Sequence, residues 1–136
     1  MKTKLIALAI AFVVMSLQVH AQDSSTDVPL ILSDTYGYDF GSYMTGVTTR
    51  VRLNWYELMP EIARKGEKGR VVLTFTIVRD GKVQDPRVRL SSGNDVLDRA
   101  AFAAITSSSP FPPLPGDFRG EQLVLQLAFM YNLKSQ

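Results

Sequence analysis

The feature that most constrains the fold is a run of alternating apolar residues that leads directly into an Asp-Gly turn. Between Arg70 and Arg79 every second residue is large and apolar, and the residues between them are β-branched. This pattern favours a β-strand. Asp80-Gly81 follows at once, which is typical of a two-residue type I′ hairpin turn. The sequence therefore predicts a central β-hairpin, whose apolar face another layer must cover.

The return strand of this hairpin, predicted from Lys82 to Ser91, is less regular. Its apolar positions change parity between Val83 and Val88. Pro86 lies between them and has no N–H to donate to a ladder. A β-bulge near Asp85-Pro86 explains both features.

Two helices are predicted to flank the hairpin. The first carries an apolar stripe at helical spacing and ends near Pro60. Its stripe consists of Tyr43, Met44, Val47, Val51, Trp55, Leu58 and Met59. The second begins after Asn94 or Asp95, either of which is a good N-cap. Its stripe of mainly small residues lets it lie close to a sheet, and consists of Leu97, Ala100, Ala101, Ala104 and Ile105.

A proline-rich connector and a last strand complete the fold. Residues 111–115 are expected to be extended and to bury Phe111 and Leu114, although such a segment can also be a polyproline ligand. The last strand is predicted from Gln122 to Tyr131. We therefore predict an α+β, two-layer sandwich with the order α-β-β-α-β. It has a three-stranded antiparallel sheet with two helices on one face.

The N-terminal residues are typical of an export signal. Lys2 and Lys4 precede an apolar run from Leu5 to Leu17, and the bond between Ala21 and Gln22 suits signal-peptidase cleavage. The apolar run is too short to span a bilayer.

The domain organisation follows from this signal and from the predicted elements. We expect a signal peptide at residues 1–21 and a disordered leader at residues 22–40, in which residues 28–32 dock loosely. A folded domain at residues 41–132 and a tail at residues 133–136 complete the chain.

Composition argues against most catalytic chemistry. The chain has no cysteine, and its one histidine, His20, lies in the predicted signal peptide. Disulfides, thiolate metal sites and a Ser-His-Asp triad therefore have no residues to form them. Lys2 and Lys4 account for the net charge of +2, so the remainder is neutral and has no electrostatic reason to bind nucleic acid. We predict no catalytic residues, metal, cofactor, small-molecule substrate or nucleic-acid partner.

Two sets of charged residues are candidate sites. Four carboxylates leave a hydrolase open as a further alternative, although each has a local role in a turn or helix start: Asp80, Asp85, Asp95 and Asp98. Four arginines are more typical of a solvated face than of a basic patch: Arg50, Arg52, Arg87 and Arg89.

Several short motifs occur in a fixed order between Trp55 and Asn132. They are Pro60-x-x-Ala63, Gly69-Arg70-Val71-Val72, Phe75-x-Ile77-x-Arg79-Asp80-Gly81-x-Val83, Ser91-Ser92-Gly93, Leu97-Asp98-x-Ala100-Ala101, Pro110-Phe111-x-x-Leu114-Pro115 and Phe129-x-Tyr131. Together they resemble the C-terminal domain of the TonB family, and the Trp-bearing first helix is similar to that of the related TolA domain. Met59 departs from the tyrosine that usually precedes the proline. The family's long proline-rich spacer and uncleaved membrane anchor are not recognised in this sequence.

The resemblance implies binding of a partner by strand addition at the edge of the last strand, where unpaired backbone groups recruit a peptide. The expected contact residues are Gln122, Val124, Gln126, Ala128, Met130 and Tyr131. The expected partner is an envelope protein or a peptide of an outer-membrane receptor, and a homodimer through the same edge stays open. The implied protein is a periplasmic, TolA-like binding protein of the cell envelope with a role in transport. A membrane-anchored energy transducer is the alternative, and a periplasmic hydrolase using carboxylates is a further one.

Overall fold

The structure, a computed structural model, describes residues 28–133. The predicted signal peptide, its cleavage site at Ala21 and Gln22, and residues 134–136 of the predicted tail lie outside these residues. The fold described below belongs to the unit Pro29–Lys134.

The described residues of this unit form four strands and three helices. In chain order they are β1 (Leu30–Ile31), α1 (Gly41–Glu57), α2 (Glu61–Arg64), β2 (Gly69–Val78), β3 (Val83–Leu90), α3 (Asp95–Thr106) and β4 (Gln122–Tyr131). The strands form one antiparallel sheet in the order β1-β4-β2-β3. The α+β class is confirmed. The sheet of the described residues has four strands instead of three, and α2 adds a third helix.

The two additions are too short to leave a periodic pattern in the sequence. The strand β1 has two residues, and the helix α2 is a single turn that follows Pro60. Both depend on contacts with distant parts of the chain, which a local pattern does not encode.

The central pair of strands carries most of the core. β2 and β4 pair without interruption from Gly69↔Tyr131 to Val78↔Gln122. In β4 the odd-numbered side chains are buried and the even-numbered ones are half-buried or exposed, as the alternation predicts. The two long helices cover the buried face through six buried residues: Val47, Val51, Leu97, Ala101, Ala104 and Ile105.

The turn between β2 and β3 differs from the predicted type I′ turn. Gly81 donates its N–H to the carbonyl of Val78 at 2.8 Å, and Gly81 has a φ of 94° whereas Asp80 has no positive φ. This is a three-residue loop that ends in a bulged glycine. The proline-rich connector packs against this turn, where Phe111 donates its N–H to the Gly81 carbonyl at 2.8 Å. A Cβ at position 81 would collide with the carbonyl oxygen of Phe111.

The strand β3 contains the predicted bulge. Its register against β2 shifts between Thr74 and Thr76, where Asp85 and Pro86 are inserted, and Asp85 has a φ of 54°. A second shift lies between Val72 and Leu73. The bulge prediction is therefore confirmed.

The segment before α1 differs from the predicted disordered leader over residues 29–40. Leu30 and Ile31 pair with β4, and a turn with positive φ at Tyr36 and Gly37 leads to Phe40. Phe40 is 3% exposed and lies 4.8 Å from the ring of Phe118. The pairing of Leu30 and Ile31 agrees with the expected docking of residues 28–32, whereas Phe40 follows polar residues and belongs to no periodic pattern.

Candidate partner-binding edge

The strand β4 pairs with β2 along one edge and with β1 along part of its other, outer edge. Val124 accepts a hydrogen bond from Leu32 at 2.8 Å through its carbonyl, and donates its N–H to the Ser33 hydroxyl at 2.9 Å. The main chain of Val124 therefore points away from β2. Because main-chain direction alternates along a strand, that of Gln126, Ala128 and Met130 points the same way.

β1 covers only part of this outer edge. It pairs with β4 at Leu30↔Gln126 and Ile31↔Leu125. Beyond Leu30, no strand among residues 28–133 pairs with the outward main chain of Ala128 or Met130. The edge is thus divided into a covered half around Val124 and Gln126 and an open half at Ala128 and Met130.

The predicted contact residues fall into groups along this edge. Gln122 begins the strand and is exposed, Val124 and Gln126 lie in the covered half, and Ala128 and Met130 form the open half. Tyr131 differs from these five. Its main chain pairs toward β2 at Gly69, and its side chain is 2% exposed.

Tyr131 instead holds the end of β4 to the helical layer. Its hydroxyl donates to the carbonyl of Leu97 at 2.9 Å. Burial raises the pKa of Tyr131 above its ordinary value, so the hydroxyl keeps the proton that it donates. The hydroxyl of Tyr131 therefore points into the domain and supports the end of β4.

A groove opens beside the uncovered end of β4, with a volume of about 230 Å³. It is lined by Trp55, Met59, Ala63, Arg64, Met130, Tyr131 and Asn132. The indole of Trp55 forms its inner wall, edge-on to Phe129 at 5.5 Å and to Tyr131 at 5.1 Å. Trp55 and Met59 belong to the predicted helical stripe. Their proximity to Met130 was not predicted, because these residues are far apart in the sequence.

A strand added along the open half would meet this groove. Side chains alternate between the two faces of a sheet, so every second residue of an added strand would point toward the helical layer. At the level of Phe129 and Tyr131, that layer consists of Trp55 and Met59. The groove is therefore placed to receive an apolar side chain of the partner.

The other candidates considered from the sequence have local partners. Phe111 and Leu114 are buried in the core as predicted, at 2% and 5% exposure. Asp85 pairs with Arg87 at 2.9 Å, and Asp95 pairs with Arg99 at 2.6 Å, both on the surface.

The described residues hold no cluster of three or more His, Asp or Glu side chains that could bind a metal ion. None of the helices in residues 28–133 has the length and apolarity needed to span a bilayer. Asp80 pairs with Lys82 at 3.7 Å, and Asp98 accepts hydrogen bonds from Ser92, so the other two carboxylates also have local partners.

Known proteins resemble this chain in sequence and in fold. A family described as Gram-negative bacterial TonB protein C-terminal matches residues 60–133, which is more than half of the chain. Protein TonB of Helicobacter pylori is 37% identical over 81 residues, which cover 60% of this chain and 27% of that protein. Protein TonB of Pasteurella multocida is 33% identical over 73 residues, covering 53% of this chain and 28% of that protein.

The solution structure of a TonB C-terminal domain from Helicobacter pylori superposes with a TM-score of 0.57 at 28% identity. The superposition covers 75% of this chain and 91% of that domain. The family match also confirms the prediction that the chain is not an enzyme. This chain belongs to the family of TonB C-terminal proteins.

Proposed function

We propose that this chain is an exported envelope protein that binds an extended peptide of its partner as an added strand on the outer edge of β4. The observation that supports this most is the open half of that edge. The N–H and C=O groups of Ala128 and Met130 face outward, and no strand of the described residues pairs with them. Unpaired groups on a regular strand are a template for another strand.

The open half alone provides a modest binding free energy. Two residues offer two donors and two acceptors, and a net gain of about 1 kcal/mol per hydrogen bond amounts to roughly 4 kcal/mol. Burying one aliphatic side chain in the groove adds about 2 kcal/mol. The groove beside Trp55 and Met59 therefore gives the edge its selectivity, because main-chain bonds alone do not distinguish sequences.

The role of the whole chain in envelope transport is a second part of the proposal. It is supported by the relatives named Protein TonB, of which this chain spans about a quarter, 27% and 28% of their lengths. A peptide from an outer-membrane receptor is the partner that this role implies. The chain acts in the periplasm, after loss of residues 1–21.

A membrane-anchored energy transducer is the alternative that the family match favours. The intact mass of the cellular protein separates the two. A mass lacking residues 1–21 supports the exported form, and an uncleaved chain in the inner-membrane fraction supports the anchored form.

Strand addition is tested by crosslinking in cells. A photoreactive amino acid replaces Met130, which lines the groove at the open half of the edge. The matched control replaces Leu90, which is 45% exposed on the opposite edge strand. We expect an envelope protein to be crosslinked from position 130 and not from position 90. Equal crosslinking from both positions, or from neither, would contradict the proposal.

A further inference from the structure

β1 is held on the β4 edge by few contacts. Only two of its residues pair with β4, whereas β2 pairs with β4 along ten. Two further hydrogen bonds hold the segment: the Leu32 N–H donates to the carbonyl of Val124, and the Ser33 hydroxyl accepts the N–H of Val124. Leu30 and Leu32 are 36% and 52% exposed, so little apolar surface fixes them. Such a segment opens far more readily than the central strands.

The chain behind β1 is anchored independently. Tyr36 donates its N–H to Asp34 Oδ1 at 2.8 Å, and Tyr38 donates to the carbonyl of Thr35 at 2.9 Å. Tyr38 then packs edge-on against Phe40 at 4.8 Å. These contacts lie between β1 and α1 and do not involve β4. β1 can therefore leave the edge while the rest of the domain stays folded.

β1 occupies the same main-chain groups that a partner strand would use. An added strand that extends past Ala128 reaches Gln126 and Val124, whose outward groups already bind β1. Both strands cannot pair with these residues at once.

We propose, on the basis of the strand-addition function, that β1 is a displaceable occupant of the partner edge. The partner strand pairs first with Ala128 and Met130 and then replaces β1 at Gln126 and Val124. β1 thereby sets the affinity of the domain for its partner. A tethered strand competes strongly because its effective concentration is high, so partner binding is weak until β1 leaves.

The chemistry of β1 also describes what the vacated half of the edge accepts. Ile31 is half-buried and packs against the core, opposite Leu125. Leu30 and Leu32 are exposed on either side of it. A replacing strand therefore needs an aliphatic residue in the position of Ile31, whereas its neighbours are less restricted.

The test uses the full chain and a probe taken from the chain itself. The double variant Leu32→Pro, Ser33→Ala removes the donor and the acceptor that bind Val124. Its control, Leu32→Ala, keeps the N–H. Amide hydrogen exchange of Val124 and Gln126 is measured by NMR, with Leu125 and Leu127 as reference amides that pair with β2. A labelled synthetic peptide with the sequence of residues 29–35 then serves as the added strand.

We expect exchange at Val124 and Gln126 to accelerate about tenfold or more in the double variant, with the reference amides unchanged. The peptide should bind the double variant about tenfold more tightly than the unmodified chain, and the same peptide carrying Ile31→Asp should bind neither.

Ser33→Ala alone is a milder variant if the double variant does not fold. Unchanged exchange, or equal peptide binding to both chains, would overturn the inference. The peptide assay uses the chain's own segment and needs no envelope partner, so it tests the displacement of β1 alone. Absence of the crosslink from position 130 would contradict the proposed function and leave the result of the peptide assay unaffected.

Discussion

The outer edges of β3 and β4, the two long strands that flank β2, differ in their ability to accept another strand. β3 shifts its register twice, contains Pro86 and carries charged side chains at Asp85, Arg87 and Arg89. β4 keeps one register over its whole length and has no charged residue. Bulges, proline and charge are the features by which proteins block pairing at an edge.

This difference teaches that an open edge is not by itself a binding site. On β3 the ladder is irregular, so a straight peptide cannot follow it. On β4 the ladder is regular, and only a two-residue strand covers half of it. The outer edge of β3 is therefore blocked, whereas half of the outer edge of β4 stays accessible.

The largest difference between β3 and β4 should appear in the free energy of unfolding. Phe129 is 4% exposed and packs under Trp55, so Phe129→Ala should lower the free energy of unfolding by about 3–5 kcal/mol. Leu90 is 45% exposed, and Leu90→Ala should cost less than about 1 kcal/mol. Urea unfolding measures both values. Similar losses for the two variants would show that β3 and β4 do not differ in this way.

A smaller effect concerns how the end of β4 is fixed to α3. Tyr131→Phe removes the hydroxyl that donates to the Leu97 carbonyl and should lower stability by about 1 kcal/mol. Tyr56 is 55% exposed, and Tyr56→Phe is the matched control, for which no change is expected. Thermal unfolding of both variants gives the comparison. An unchanged midpoint for Tyr131→Phe would mean that this hydrogen bond does not hold the strand.

The smallest effect on stability is expected from Asp98, which accepts hydrogen bonds from the residues that follow β3. Burial alone would raise the pKa of Asp98, but hydrogen bonds from Ser91 and Ser92 outweigh it and hold the pKa below its ordinary value of 3.8. A lowered pKa in the folded state means that the carboxylate stabilises the fold above about pH 4 and loses this effect as the pH falls further.

Asp98→Asn should therefore be less stable than the unmodified chain at pH 7, by less than about 1 kcal/mol because the site is accessible to solvent. The difference should narrow when the same urea unfolding is repeated near pH 3. A difference that widens with acidification would contradict the assignment of these hydrogen bonds to the carboxylate form.

The sequence predicted the features that depend on local periodicity. The boundaries of β4 agree with the prediction at both ends, the bulge at Asp85-Pro86 is present, and Asn94 caps α3 by accepting the N–H of Val96. Each of these is encoded by residues adjacent in the chain, so a pattern of side chains is sufficient to find it.

The features that the sequence did not predict depend on contacts between distant residues. The pairing of β1 with β4 is more specific than the expected loose docking of residues 28–32, and the turn at Gly81 lies against Phe111. The binding residues on β4 stay a prediction, and the division of its outer edge into covered and open halves depends on β1. Contacts of Trp55 and Met59 with the end of β4 are likewise absent from any local pattern.

The central claim is that a partner strand pairs with the main chain of β4 at Ala128 and Met130. It is tested most directly by the crosslink from position 130 in chains carrying a proline on one edge or the other. Ala128→Pro removes an outward N–H and places a ring where the partner would lie, while the pairing of β4 with β2 is retained. Val88→Pro makes the same change on β3. We predict that the crosslink to the envelope partner is lost with Ala128→Pro and kept with Val88→Pro, whereas an undiminished crosslink with Ala128→Pro would contradict strand addition at this edge.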